Sequence, residues 1–244
     1  MSSSKIKSKF SRPQVEDYEK RRYRGLDQRI VDWKERRAVR RCLIGILDRG
    51  GTSAIGIRRD DIGGAIVLDA PCGYGRMLEI AAEAAGRGGL LLCADISEAM
   101  VARAKARAGA ASEARSNSGG DAPKIAGFAA DIVAGLPLKP GAADVVLSLR
   151  LFHHLHRAED RAAALTEFAR VARYGAVVSF YRENRLHALQ RKLRARIKGA
   201  RYEVRMLEGR LFKTEAEAAG FRVVAVEALF RGIHAQRYAV LEKR

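Results

Sequence analysis

A chain of 244 residues, 48% of them hydrophobic, can build one sizeable α/β domain with an appended segment but not two full domains. No apolar run approaches the roughly 20 residues that cross a bilayer, and Met1-Ser2-Ser3-Ser4-Lys5 has no apolar signal core, so no spanning helix is expected and the cytoplasm is the expected location. A formal charge of +18, from 46 Lys and Arg against 28 Asp and Glu, points toward anionic partners.

Met1 to Pro13 is polar, basic and aperiodic, the composition of a disordered tail. Residues 14–24 and 27–48 then read as two helices broken at Gly25, with Ile30, Trp33, Arg37/Ala38 and Cys42 marking one face of the second and Val39, Leu43, Ile46 and Leu47 continuing it. The expected organisation is a basic tail and helical cap over 1–52, then the main domain over 53–244. Strands are predicted near 65–70, 89–94, 125–130, 143–149 and 175–181, with helices near 75–85, 97–108 and 157–172. Gly109 to Lys124, with its Ser-Asn-Ser-Gly-Gly, reads as a surface loop. Residues 208–219 read as a helix stopped by Gly220, and 221–229 and 233–241 as two final strands joined at Arg231-Gly232. Strands alternating with helices predict a parallel sheet covered on both faces, with any cofactor at the strands' carboxyl ends. Cys42, Cys72 and Cys93 have neither C-x-x-C spacing nor an even number, so buried reduced thiols are expected and no metal site.

The chemistry concentrates in Val67-Leu68-Asp69-Ala70-Pro71-Cys72-Gly73-Tyr74-Gly75-Arg76. Here an apolar strand ends in a carboxylate, two glycines permit a tight turn, and a helical segment follows. Asp95, at the end of the next apolar run, is positioned to accept hydrogen bonds from a ribose diol. A dinucleotide site asks for a third glycine where Leu78 stands.

The order hydrophobic-hydrophobic-Asp-x-x-Cys-Gly-x-Gly-Arg instead resembles the first motif of the class I S-adenosylmethionine-dependent methyltransferases, of the type 11-like kind. Ala94-Asp95-Ile96-Ser97-Glu98-Ala99-Met100 resembles the second motif, with Ser97 as a helix N-cap, and Phe128-Ala129-Ala130-Asp131-Ile132 the third. Asp144 through Leu155, including Ser148-Leu149-Arg150-Leu151-Phe152-His153-His154, resembles the fourth, and Leu165 to Arg173 the helix after it. Pro71 and Arg173-Tyr174-Gly175 depart from the family's usual Gly and Pro-Gly-Gly.

The resemblance implies a Rossmann-like, doubly wound, seven-stranded, mostly parallel sheet with an antiparallel last strand, plus an N-terminal helical cap. It implies S-adenosylmethionine as cofactor, bound by Asp69, Ala70, Pro71, Gly73, Gly75, Arg76, Asp95, Ile96, Met100, Asp131, Ile132 and Leu149. Asp131 would accept from the adenine amine, and Tyr18, Arg22 and Tyr23 of the cap would reach the cofactor carboxylate or the acceptor, or else serve in packing.

Methyl transfer is an in-line displacement, so alignment and exclusion of water matter more than a triad. His154 is the candidate base, with a pocket-wall role as the alternative. The implied acceptor is a small molecule, lipid or sugar-containing intermediate, methylated at oxygen.

Residues 1–41 carry 14 Lys/Arg against 6 Asp/Glu, and 182–210 carry 10 against 3. In the insertion at 182–206, Leu186, Leu189, Leu193 and Ile197 share one helical face, with Arg191, Lys192, Arg194, Arg196 and Lys198 elsewhere. Such a helix suits an anionic membrane surface or RNA phosphates, or packs its leucines on the domain. Two rivals stay open: an RNA or protein methyltransferase recruited by the basic segments, and a non-enzymatic S-adenosylmethionine-binding module for nucleic acid or a membrane surface.

Overall fold

The computed structural model describes residues 26–55, 64–117, 122–182, 206–230 and 235–244. The expected basic tail, the helix over 14–24 with Tyr18, Arg22 and Tyr23, the basic helix within 182–206 and the hairpin turn at Arg231-Gly232 lie outside the described residues.

In chain order the elements are α1 (Leu26–Ile55), β1 (Ile66–Asp69), α2 (Leu78–Ala85), β2 (Leu90–Asp95), α3 (Glu98–Asn117), β3 (Lys124–Ala129) and β4 (Ala143–Ser148). They continue as α4 (Ala158–Val171), β5 (Ala172–Tyr181), α5 (Gly209–Ala218), β6 (Phe221–Ala228) and β7 (Gln236–Lys243). The strands form one seven-stranded sheet in the order β3-β2-β1-β4-β5-β7-β6. Strands β1 to β5 are mutually parallel, and β7 pairs antiparallel with both β5 and β6. Strand order reverses between β1 and β4, which opens a crevice at their carboxyl ends.

Central strands buried on both faces read as continuous apolar runs, as β4 shows with all six residues buried. One core, under α1, α2 and α3, collects Val39, Leu43, Ile46, Leu78, Val101, Val145 and Val177. The other, under α4 and α5, collects Leu68, Val146, Leu165, Phe168, Val178 and Phe212. Phe212 stacks on Phe180 with ring centroids 4.2 Å apart and meets Phe152 edge-on at 5.7 Å. The fully buried Arg161 of α4 holds Glu215 of α5 at 2.5 Å, so the cation enters the core already paired.

Helix α1 crosses the sheet like a strap. Arg36 reaches Glu79 of α2 at 2.8 Å, Arg40 pairs with Glu83, Arg41 holds Glu227 of β6 at 2.9 Å, and Arg49 holds Glu242 of β7 at 2.5 Å. Exposed pairs such as these contribute little individually; the buried apolar face, Ala38, Val39, Cys42, Leu43, Ile46 and Leu47, supplies the adhesion.

Three sequence expectations need correction. Ile30 and Trp33 are about half exposed, because the buried face begins at Glu35 and turns away from them. α1 continues past residue 48 to Ile55, through Gly50, where a Cβ would lie 2.3 Å from the Tyr174 ring. α3 runs to Asn117 rather than stopping near 108, since the alanine-rich stretch after Gly109 outweighs one glycine in a helix. The Arg173-Tyr174-Gly175 departure also finds its reason. α4 passes into β5 without a loop, and a Cβ at Gly175 would sit 2.0 Å from the Leu241 carbonyl oxygen of β7.

Candidate active site

The glycine turn is suspended between two strands. The Ala70 N–H donates to the Leu147 carbonyl of β4 at 2.9 Å, and the Cys72 N–H to the Ala94 carbonyl of β2 at 2.8 Å. Gly73 (φ 52°) and Gly75 (φ 84°) both occupy the left-handed region that favours glycine. Their surroundings differ. A Cβ on Gly75 would strike Leu78 at 2.4 Å and Ala104 at 3.1 Å, whereas nothing lies within 4 Å of one on Gly73. Gly75 lets the turn pack on α3; Gly73 leaves free space above the backbone.

Asp95 is buried and fixed by that same turn. Its Oδ2 accepts the Gly73 N–H and its Oδ1 the Ser97 N–H, both at 3.0 Å. A carboxylate offers about four lone-pair positions, so acceptor capacity remains for a ligand hydroxyl. Ser97 caps α3 through its Oγ, which accepts the Met100 N–H at 3.4 Å. Asp69, at the end of β1, is 3% exposed, and burial together with the neighbouring Asp95 pushes its pKa up to about 8, against a lowering by Arg76. Burial also raises Asp95, opposed by the backbone N–H groups it accepts. Two carboxyls sharing a water-poor crevice favour a ligand bringing hydrogen-bond donors and positive charge. Asp131, at the end of β3, accepts the Val133 N–H at 3.0 Å through Oδ1. Ile132 and Leu149 are buried, Met100 is 4% exposed, Ala70 is fully buried, and Pro71 and Ile96 are half-buried along the same edge.

Arg76 is used differently from the rest. Its guanidinium faces α1, with Nη1 2.6 Å from Asp32 and Nη2 2.6 Å from Glu35. Glu35 is completely buried and gathers three more donors: Arg150 at 2.9 Å, the Gln236 amide at 2.9 Å and the Tyr238 hydroxyl at 2.7 Å. Burial opposes ionisation of Glu35, but Arg150 and Arg76, with the Tyr238 and Arg76 hydrogen bonds, outweigh it and hold its pKa below the usual value. Burial and the Glu35 carboxylate in turn raise the Tyr238 phenol. Arg150 has φ 61°, the one positive value outside glycine among the described residues, and its N–H donates to Ser179 Oγ at 2.8 Å. One carboxylate therefore joins α1 to the turn after β1, the turn after β4, and β7. Glu35, Arg150, Gln236 and Tyr238 escaped the sequence reading. The available signal was a glutamate three and four residues ahead of Ala38 and Val39, inside the apolar stripe.

After β4 the chain presents His153, half-buried, and His154, exposed. Their rings lie 3.9 Å apart between centroids, and His153 meets Tyr181 edge-on at 5.1 Å. This puts the pair on the strand next to β1, at the same sheet edge as Asp69. Cys42, Cys72 and Cys93 are free and buried; desolvation drives the Cys42 thiol up to about 12, and a hydrogen bond with Cys93 followed by burial raises Cys72.

Fold and site together define a Rossmann-like α/β domain whose switch-point crevice suits an adenosyl ligand. Residues 68–180 match the family described as a methyltransferase domain. Among solved structures, the magnesium protoporphyrin IX methyltransferase of Synechocystis PCC 6803 with bound S-adenosylhomocysteine is similar at TM-score 0.74 and 18% identity, covering 100% of both chains. With S-adenosylmethionine bound, the same protein gives 0.66, again at 18% identity, over 99% of this chain and 97% of that one. A S-adenosylmethionine-dependent methyltransferase from Methanosarcina mazei gives 0.58 at 16% identity, over 75% of this chain and 93% of that one. No curated protein matches the chain. Residues 68–180 thus carry a methyltransferase domain, and the fold is the one those S-adenosylmethionine-dependent methyltransferases share. The residues fit that cofactor: free space over Gly73 for the methionyl part, and Asp95 with unused acceptor capacity for the ribose. Among the described residues, no helix is long and apolar enough to cross a membrane.

Proposed function

We propose that the protein methylates an oxygen atom of a small-molecule, lipid or sugar-containing acceptor in the cytoplasm, with His154 as the general base. The observation carrying this reading is the placement of adjacent imidazoles, 3.9 Å apart, beyond the strand next to Asp69. When bound, S-adenosylmethionine supplies an electrophilic methyl carbon on a good leaving group. Asp95 and Asp131 hold the adenosine, Gly73 gives the methionyl part passage, and Asp69 offers a carboxylate to its positive charge. Met100, Ile132 and Leu149 shield the edge from water, with Ala70, Pro71 and Ile96 completing the lining. The backbone at Gly75 and Arg76 keeps the turn in place. His154 takes the acceptor's hydroxyl proton as its oxygen bonds to the methyl carbon, a contribution of roughly 10²- to 10⁴-fold. Tyr181 braces His153 and, through it, His154.

The test is incubation with labelled S-adenosylmethionine and fractionated cell extract, then His154→Gln in single turnover with the acceptor that retains label. Magnesium protoporphyrin IX, named for the similar cyanobacterial enzyme, is the first defined compound to try. A loss confined to acceptor binding would leave His154 as a pocket wall. The charge of +18 favours one further reading, in which basic segments recruit an RNA or protein substrate or seat the enzyme on an anionic membrane. Retained label in an RNA or protein fraction would select it. A chain that binds the cofactor and labels nothing would favour a non-enzymatic binding module.

A further inference from the structure

Behind the glycine turn lies a second cavity of about 340 Å³, between the first turns of α1, the turn itself and α3. Its lining includes Arg29, Trp33 and Arg36 of α1, Tyr74 and Arg76 of the turn, and Arg107 of α3. Arg29, Trp33 and Arg36 stand at i, i+4 and i+7, so one helical face supplies two cations and an indole. The only carboxylate in the lining, Asp32, is held by Arg36 at 2.9 Å and Arg76 at 2.6 Å. Those arginines are also anchored, Arg36 on Glu79 and on the Arg76 carbonyl, Arg76 on Glu35, which fixes their planes. Arg29 of α1 and Arg107 of α3 add positive charge to the lining. Trp33 is 54% exposed, with the Arg37 guanidinium 4.9 Å from its ring centre.

We infer that this cavity is a ligand site distinct from the cofactor crevice, built for a flat apolar body bearing a carboxylate or phosphate. Guanidinium groups pair with both oxyanions in planar, bidentate geometry and keep their charge at every physiological pH. An indole and a phenol beside them supply stacking surface for the ring, and the volume falls in the range of small-molecule sites. Neither Asp95 nor Gly73 contributes to the lining, which separates this cavity from the residues that fit the adenosyl cofactor. The inference does not depend on the identity of the methyl acceptor.

Trp33 is the only tryptophan in the chain, so its emission reports on this cavity alone. The probes are 4-nitrophenyl phosphate and 4-nitrobenzoate, non-fluorescent flat anions that quench a stacked indole, with 4-nitrophenol at pH 6 and inorganic phosphate as half-ligands. Saturable quenching by the first two, at least tenfold tighter than by 4-nitrophenol, is expected, and the stronger of the two identifies the preferred oxyanion. Arg29→Glu with Arg107→Glu should weaken both by more than tenfold. Calorimetric binding of S-adenosylhomocysteine should stay unchanged, which also shows that the variant is folded; Arg29→Gln with Arg107→Gln replaces it if it is not. Linear, unsaturated quenching, equal affinity in the variants, or one-for-one displacement of the probe by S-adenosylhomocysteine would overturn the assignment. Failure of the cofactor itself to bind would instead count against the methyltransferase reading.

Discussion

Glu35→Gln is the most informative single change in the structure. The amide keeps the volume and can still accept from Tyr238 and Gln236, which now lie 2.7 and 2.9 Å from Glu35 Oε1. It cannot balance Arg76 and Arg150, 2.6 and 2.9 Å from Oε2, and its own N–H groups would face theirs. Removing one member of a buried ion pair typically costs 3–5 kcal/mol. Arg76 keeps Asp32, and Arg150 is 21% exposed, so a value at the lower end, about 3 kcal/mol, is expected. Glu35→Leu should cost about 1–3 kcal/mol more, because it also strands the buried phenol and amide. Urea denaturation at pH 7 measures both. The pH dependence supplies a second check. A carboxylate with a lowered folded-state pKa contributes stability that is present above its ordinary value of 4.5 and lost as pH falls through the folded value. The gap between wild type and Glu35→Gln should therefore be flat above about pH 5.5 and narrow below pH 4.5. A gap under 1 kcal/mol at pH 7, or one that ignores pH down to acid unfolding, would refute a charged hub at Glu35.

Three further outcomes are expected. Gly73→Ala should weaken S-adenosylhomocysteine binding by about tenfold or more in calorimetry while leaving the melting temperature within a few degrees, whereas Gly75→Ala should lower the melting temperature first, through its clash with Leu78 and Ala104. Asp95→Asn places an amide N–H against the Gly73 or Ser97 N–H and should reduce cofactor affinity by roughly 100-fold, about 2.7 kcal/mol. Asp69 binds its proton more tightly folded than unfolded, so stability of the cofactor-free protein should fall as pH rises from about 4 to about 8; Asp69→Asn should flatten that slope, and an unchanged slope in denaturation would remove Asp69 as its source.

The parallel sheet was legible because its strands are apolar runs closed by turn residues, with boundaries within three residues of those observed. Asp69, Gly73, Gly75 and Asp95 were legible because local backbone chemistry confines glycine and carboxylate to such a turn. Glu35 was not, since its meaning lies in Arg150, Gln236 and Tyr238, which no local pattern brings near it. The length of α3 was misjudged for a different reason: a glycine weakens a helix by about 1 kcal/mol, less than a following run of good helix formers restores. Trp33 and Ile30 looked like core because periodicity cannot tell which edge of an apolar stripe meets the sheet.

The bond between Glu35 and Tyr238 joins residues 203 positions apart. During synthesis the carboxylate leaves the ribosome long before its phenol is made. Until then the first helix has no complete seat, and the floor of the crevice stays unassembled while the middle of the sheet can already pair. A polypeptide cut short before β7 would hold every glycine and aspartate of the cofactor motif yet lack the Gln236 and Tyr238 donors to Glu35. The last-made strand is thus the one that completes the seat of the first helix.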